Sequence, residues 1–433
     1  MRVENFSQTL LTRDRPKFRG CLEAAVLGAS PCARKGRLAL MGVMLLLALL
    51  LTALASTETQ AHDPSAYGGL FRSRDHGASW FPTDTGLFLS GVLDVAISPA
   101  DANALLLATD TGLLRSQNGG RTWARAAPTV LLSGVYAVAF DADGRGALVS
   151  TATGLYRTDD GSRWWQVSAP GGAAAAYAIV PGGDARRLYV AGPGGLWRSD
   201  DRGRSWLDLG EGLPAGAVRR LLVVTAPEET LYAIAAGRLW RRSHGMPSWQ
   251  AHDAGLPVGR VEALALDTGE PERLWAAAAD RIFVSADRGV SWRPVGQPLP
   301  DAHTAVHGFA VAEAGTVMVL TTHRGLLRSA DGGRSWRLME ENLPVHLEAG
   351  PLVRDPTDSA ALYAGFSLLP YGELWDLALK GKPLLQRVDP LSLAGGTAFL
   401  LALALLGGLA VHRLAHARRT AMPARPWSKE PRP

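Results

Sequence analysis

Gly325-Leu-Leu-Arg-Ser-Ala-Asp-Gly-Gly-Arg-Ser-Trp336 decides how the rest of the chain is read. Its first half is an apolar run closed by Arg328. Its second half sets Ser, Asp, Gly and Ser at alternate positions before a Trp. Short apolar runs bounded by Gly, Asp and Ser are strand and turn signals. In such a turn the Asp and Ser side chains can satisfy free backbone N–H groups, while Gly tolerates φ > 0. The full pattern recurs at Ser73/Asp75/Gly77/Ser79, Ser199/Asp201/Gly203/Ser205 and Ser285/Asp287/Gly289/Ser291, and here at Ser329/Asp331/Gly333/Ser335. Ser116-Gln-Asn118-Gly-Gly120-Arg-Thr122-Trp123 replaces Asp by Asn, and Thr158-Asp-Asp160-Gly161-Ser162 moves the Gly forward by one. A fifth copy keeps Ser248-Trp249 but carries Arg242, His244 and Met246 at the Ser, Asp and Gly positions, so a distorted turn is expected there.

The tryptophans that close these copies are Trp80, Trp123, Trp165, Trp206, Trp249, Trp292 and Trp336, a period near 43 residues. Upstream of most copies stands Gly-Leu-x-Arg, at Gly69, Gly112, Gly154, Gly195 and Gly325, which reads as a third strand. Before it come pairs of strand length, such as Val92–Ser98 with 105–109 and Val261–Leu266 with Leu274–Ala278. Four strands per period make a blade, so an all-β, seven-bladed β-propeller is predicted over residues 67–388. The first hairpin, residues 67–82, lacks two inner strands, which 353–355 and 362–366 are available to supply; that closure removes free sheet edges. If 373–379 and 384–388 form a further half-blade, the count is eight.

These motifs resemble the Asp-box, or bacterial neuraminidase repeat, superfamily of β-propellers. The Gly-Leu-x-Arg-Ser-x-Asp-x-Gly-x-Ser-Trp form is most similar to sortilin-type and photosystem II assembly-factor propellers. The resemblance covers residues 67 to about 366 and implies a fold more than an activity, since the superfamily also holds sialidases and xyloglucan hydrolases. Sialidases there carry an arginine triad, a Tyr/Glu nucleophile pair, an acidic Asp and a Phe/Tyr-Arg-Ile-Pro motif. The nearest match is Arg281-Ile282-Phe283, which sits in repeat register and lacks the Pro. Xyloglucan hydrolases pair two propellers, whereas one is expected here.

Two uncharged runs flank the repeats. Residues 38–55 follow Arg34, Lys35 and Arg37 and suit either a signal peptide or a signal anchor. Residues 391–411 are long enough to span a bilayer. Basic tails at 1–37 and 412–433 lie outside both, so the positive-inside rule puts the tails in the cytoplasm, or the first in an overextended leader, and the propeller across the plasma membrane. The net charge of +5 comes from those tails; residues 38–411 carry −5, which argues against a nucleic-acid partner. Cys21 and Cys32 both lie in the N-terminal tail, so the propeller is expected to hold without disulfides.

The repeat Asp residues, with Asn118 and Asp160, read as turn formers rather than catalysts. Asp141-Ala-Asp143-Gly144 lacks the later ligands of a calcium loop, and the dispersed histidines suggest no zinc site. No metal or other cofactor is expected. Inner strands line a propeller's channel, where ligands tend to bind. The residue after their first Val is Leu93, Tyr136, Arg219, Glu262 and His307, with Ala176 or Tyr177 in the third full repeat. Arg219, Glu262 and His307, with Arg220 and Tyr136 nearby, are therefore the candidate ligand-binding cluster. The expected function is a membrane-anchored, extracytoplasmic scaffold that binds a protein without catalysis. The alternatives are a sialidase-like glycoside hydrolase taking carbohydrate, or a structural subunit of a membrane complex.

Overall fold

The computed structural model describes residues 68–379, apart from 84–88, 173–174, 217, 268, 271 and 345, together with 406, 407, 409, 412 and 413. Two compact units separate, Met1–Asp63 and Pro64–Pro433, and every described residue belongs to the second. The expected segment at 38–55 and nearly all of that at 391–411 lie outside the described residues, as do the tail 1–37 and all of the tail 412–433 but its first two residues. Among the described residues no helix is long and apolar enough to cross a membrane.

The described chain folds into seven four-stranded antiparallel sheets, the blades of a propeller. Their inner strands are Val92–Ser98, Val135–Phe140, Ala178–Pro181, Val218–Val224, Val261–Leu266, Val306–Ala312 and Glu348–Arg354, which number blades I to VII. Each inner strand neighbours the next, and the seventh meets the first, so the ring closes around a channel. Blade VII joins the two ends of the domain: Gly69–Ser73 pairs with Leu362–Ser367, which pairs with Glu348–Arg354. This is the expected two-plus-two closure. Apolar side chains fill the gaps between blades, as where Tyr232 and Ile234 of blade IV pack on Ala276, Phe283 and Trp292 of blade V.

The repeated turn works as its residue types dictate. In blade V the Gly289 N–H donates to Ser285 Oγ at 2.7 Å, and the Ser291 N–H to Asp287 Oδ1 at 2.9 Å. Arg288 and Gly289 both lie at positive φ. Burial opposes ionisation of Asp287, but hydrogen bonds from Ser285 and Ser291 outweigh it and hold its pKa at about 2. Indoles then bind across blades: Trp206 Nε1 donates to Ser168 O at 2.8 Å, and Trp292 Nε1 to His252 O at 2.8 Å. Both carbonyls belong to the preceding blade.

Two expectations are corrected. Trp165 is 41% exposed, whereas Trp164 is 7% exposed and packs in the core. Trp165 pairs with Arg157 just as Phe81 pairs with Arg72, so it opens the outer strand and Trp164 closes the turn. The turn of blade II is one residue shorter, with a single left-handed residue at Gly161 in place of a pair. Secondly, residues 373–379 are not a half-blade. They belong to helix α1, Tyr371–Leu379. Pro370 cannot continue a strand ladder but suits a helix start, and its carbonyl accepts the Leu374 N–H at 2.9 Å. Tyr371, Leu374 and Trp375 then share one helix face. Residues 384–388 lie outside the described residues, and the described blades number seven.

Candidate functional site

Six of the seven inner strands break register just after their first residues. In blades I, II, IV, V and VI the extra residue is Leu93, Tyr136, Arg219, Glu262 or His307, the repeat-equivalent set. A bulge re-aims its side chain out of the ladder. The set therefore rings one mouth of the channel, at the face where the inner strands begin. In blade III the strand starts at Ala178, beside Tyr177.

Helix α1 fills much of this mouth. Gly350 leaves the room: a Cβ there would lie 1.9 Å from the Tyr371 ring, and one on Gly91 would lie 2.6 Å from Leu374. The Tyr371 hydroxyl donates to Val92 O at 2.7 Å, and its N–H donates to Glu348 Oε2 at 2.7 Å. Burial pushes the phenol pKa well up. Trp375 stacks on Tyr136 at 5.4 Å between centroids and meets Tyr177 edge-on at 5.1 Å. Tyr136 is thereby 1% exposed, a packing residue rather than a free ligand contact. Blades VI, VII, I, II and III are covered in this way.

Blades IV and V keep the mouth's open arc, but the three candidates there do not act as one cluster. Arg219, Glu262 and His307 make no hydrogen bond or ion pair with one another. Glu262 Oε2 accepts the Val306 N–H of the next blade at 2.6 Å, and burial raises its pKa against that bond. His307 is pushed down to about 4 by desolvation, then by Arg220 and His323, so it is neutral near pH 7. Its Nε2 lies 3.8 Å from Glu348 Oε2, and its ring meets that of Tyr371 at a tilt, with 5.6 Å between centroids. Arg219 is exposed, as is Arg260 just before the inner strand of blade V.

The residue one step further along each strand forms a second layer that the sequence reading touched only through Arg220. Arg220 Nη2 reaches from blade IV to His307 O on blade VI at 2.7 Å. It is accessible to water yet enclosed by the surrounding strands, so desolvation lowers its pKa, which Asp94 of blade I partly restores. Asp94 accepts the Val138 N–H at 3.0 Å, and desolvation raises its pKa to about 7 against that bond. Ala137, Ala263 and Gly308 hold the matching positions of blades II, V and VI, so among the five strands that share the bulge only those of blades I and IV carry charge at this level. Asp94, Glu348, Tyr371 and Trp375 were missed. The signal for the last two was the i, i+3, i+4 spacing of Tyr371, Leu374 and Trp375 after Pro370.

The mouth carboxylates are thus each tied to a backbone N–H: Asp94 to Val138, Glu262 to Val306, Glu348 to Tyr371. Among the described residues no group of three or more His, Cys, Asp or Glu is placed to hold a metal ion.

No family model matches the chain, and no curated protein matches it. Solved structures share its fold. YCF48 bound to a D1 peptide is 19% identical at a TM-score of 0.50, covering 64% of this chain and 93% of that one. YCF48 from Cyanidioschyzon merolae is 15% identical at 0.51, covering 64% and 97%. A GH74 xyloglucanase from Xanthomonas campestris is 24% identical at 0.51, covering 64% of this chain and 53% of that one. At these identities the likeness is one of fold.

Proposed function

We propose that the chain is a membrane-anchored, extracytoplasmic binding scaffold of the Asp-box, sortilin-like type, and that the open arc of its channel mouth takes a protein segment. The observation that carries this reading is the division of the mouth. Its own helix covers the mouth over five blades, and the two remaining blades present the exposed Arg219 beside the enclosed guanidinium of Arg220. An exposed guanidinium beside a sheltered channel suits a carboxylate or other acceptor group of a peptide. The likeness of fold to a propeller solved with a bound peptide agrees with it. The apolar runs at 38–55 and 391–411 support anchorage with the C-terminal tail in the cytoplasm.

The hydrolase alternative draws on the likeness of fold to GH74 and on Asp94, whose pKa of about 7 suits an acid. Its weakness is that Asp94, Glu262 and Glu348 are committed to backbone N–H groups. The test is affinity capture from detergent-solubilised host membranes with the full chain and with Arg219→Ala. A stoichiometric partner retained by the wild type and lost by the variant is the expected result. Capture unchanged by Arg219→Ala removes the site, and turnover of a fluorogenic sialoside or of xyloglucan favours the hydrolase.

A further inference from the structure

Enclosed charges in proteins are normally paired, because the water that would solvate them is displaced. Arg220 departs from that rule. The channel wall encloses its guanidinium and desolvation lowers its pKa, while water still reaches it through the open arc. Among the described residues no carboxylate forms an ion pair with it. Its hydrogen bonds run to backbone carbonyls instead, from Nη2 to His307 O at 2.7 Å and from Nη1 to Arg219 O at 3.5 Å. A guanidinium carries five N–H donors, so most of them remain.

The charges that act on Arg220 are those of Asp94 and Arg219. Arg219, the preceding residue, is exposed and makes no ion pair among the described residues. Asp94, across the channel on blade I, is spent on backbone: Oδ1 accepts the Val95 N–H at 2.9 Å, and Oδ2 the Val138 N–H at 3.0 Å. Desolvation pushes its carboxyl up to about 7, so near neutral pH it is about half protonated. An anion brought up to Arg220 drives that proton on, since like charges raise a carboxyl pKa. The other mouth carboxylates answer to other groups, Glu262 to Arg260 and His323, and Glu348 to Tyr371. His307, which desolvation and then Arg220 keep neutral, adds no charge. Two neighbouring guanidiniums are left without a committed counter-charge.

We infer that Arg220 and Arg219 form an oxyanion site in the channel mouth, and that it takes a tetrahedral dianion, a phosphate or sulfate group. Two guanidiniums offer two forks, and a tetrahedral group has oxygens for both, whereas a planar carboxylate fills one. A dianion also balances both cations once Asp94 is protonated. The arc that α1 leaves open over blades IV and V is the way in. This site goes beyond the capture of a protein segment and does not require it, because the group is bound free or as a monoester.

The test titrates the full chain, in a neutral detergent and Tris chloride near pH 7 at constant ionic strength, with sodium sulfate, phosphate, glycerol 3-phosphate and acetate. Sulfate and phosphate should raise the melting temperature saturably and bind at least about tenfold tighter than acetate. Arg220→Gln should abolish saturation, and Arg219→Gln should weaken sulfate binding at least about fivefold. If Arg220→Gln misfolds for want of its bond to His307 O, the exposed Arg219→Gln decides alone. Binding of glycerol 3-phosphate identifies a group presented by a larger ligand, and binding of the inorganic ions without it identifies a free ion. Acetate as tight as sulfate, no saturable binding, or sulfate binding unchanged in Arg219→Gln overturns the inference. None of these outcomes decides partner capture, which has its own readout on solubilised membranes, so the two readings fail separately.

Discussion

The two faces of the propeller are built on opposite rules. On the turn face six of the seven blades repeat one solution: a hydroxyl and an Asp or Asn side chain bind the turn's own N–H groups, and an indole follows; blade IV carries Arg242, His244 and Met246 in those places instead. At the mouth the backbone also repeats, with the same bulge in five blades, yet the side chains differ at each step: Leu93, Tyr136, Arg219, Glu262, His307. A position under a structural demand converges on one residue type. A position whose backbone is satisfied without its side chain is free to diverge, and that divergence gives a propeller its own binding surface.

The largest test of this contrast lies in the turn indoles. Trp292→Ala and Trp164→Ala should each cost about 3–5 kcal/mol in chemical denaturation, through lost burial. Trp165→Ala, on the exposed outer strand, should stay within about 0.5 kcal/mol. Equal losses at Trp164 and Trp165 would refute the shorter turn of blade II.

At the mouth, Tyr371→Phe removes the buried hydroxyl from Val92 O. The loss expected is about 1–3 kcal/mol, with faster proteolysis after α1. A variant as stable and as protease-resistant as the wild type would mean that α1 does not seal the mouth. Glu262→Ala should also destabilise, by freeing the Val306 N–H, whereas Arg219→Ala should leave the melting temperature unchanged.

The smallest effect is one of pH. Asp201, Asp287 and Asp331 sit at about 2, below the ordinary carboxylate value of 3.8. Their hydrogen bonds therefore contribute fully above about pH 4, and that contribution is lost as pH falls toward 2. Below about pH 4 the urea midpoint should fall as these carboxylates protonate, and Asp287→Asn, the choice already present at Asn118, should shallow that fall relative to the wild type. A decline of the same steepness in the variant would show that the turn carboxylates are not its source.

The sequence by itself determined the repeat, the strand order within a blade and the closure of blade VII, while the choice between seven and eight blades fell to the helix that 371–379 form. A turn formed by Ser, Asp, Gly and Trp within eight residues is local chemistry, and its recurrence every 43 residues propagates one local solution around a ring. The same locality explains the error at Trp165, since two adjacent tryptophans cannot be ranked without knowing which one the shortened turn buries.

Only the tertiary structure decided what occupies the mouth. The repeat register correctly aligned Arg219, Glu262 and His307, but alignment says nothing of competing partners. Glu262 is drawn to a backbone N–H on the next blade, His307 is neutral through burial, and Arg220 crosses to a carbonyl two blades away. Nor did any period announce α1. Its place depends on Gly350 and Gly91 leaving space for Tyr371 and Leu374, contacts that follow no repeat period.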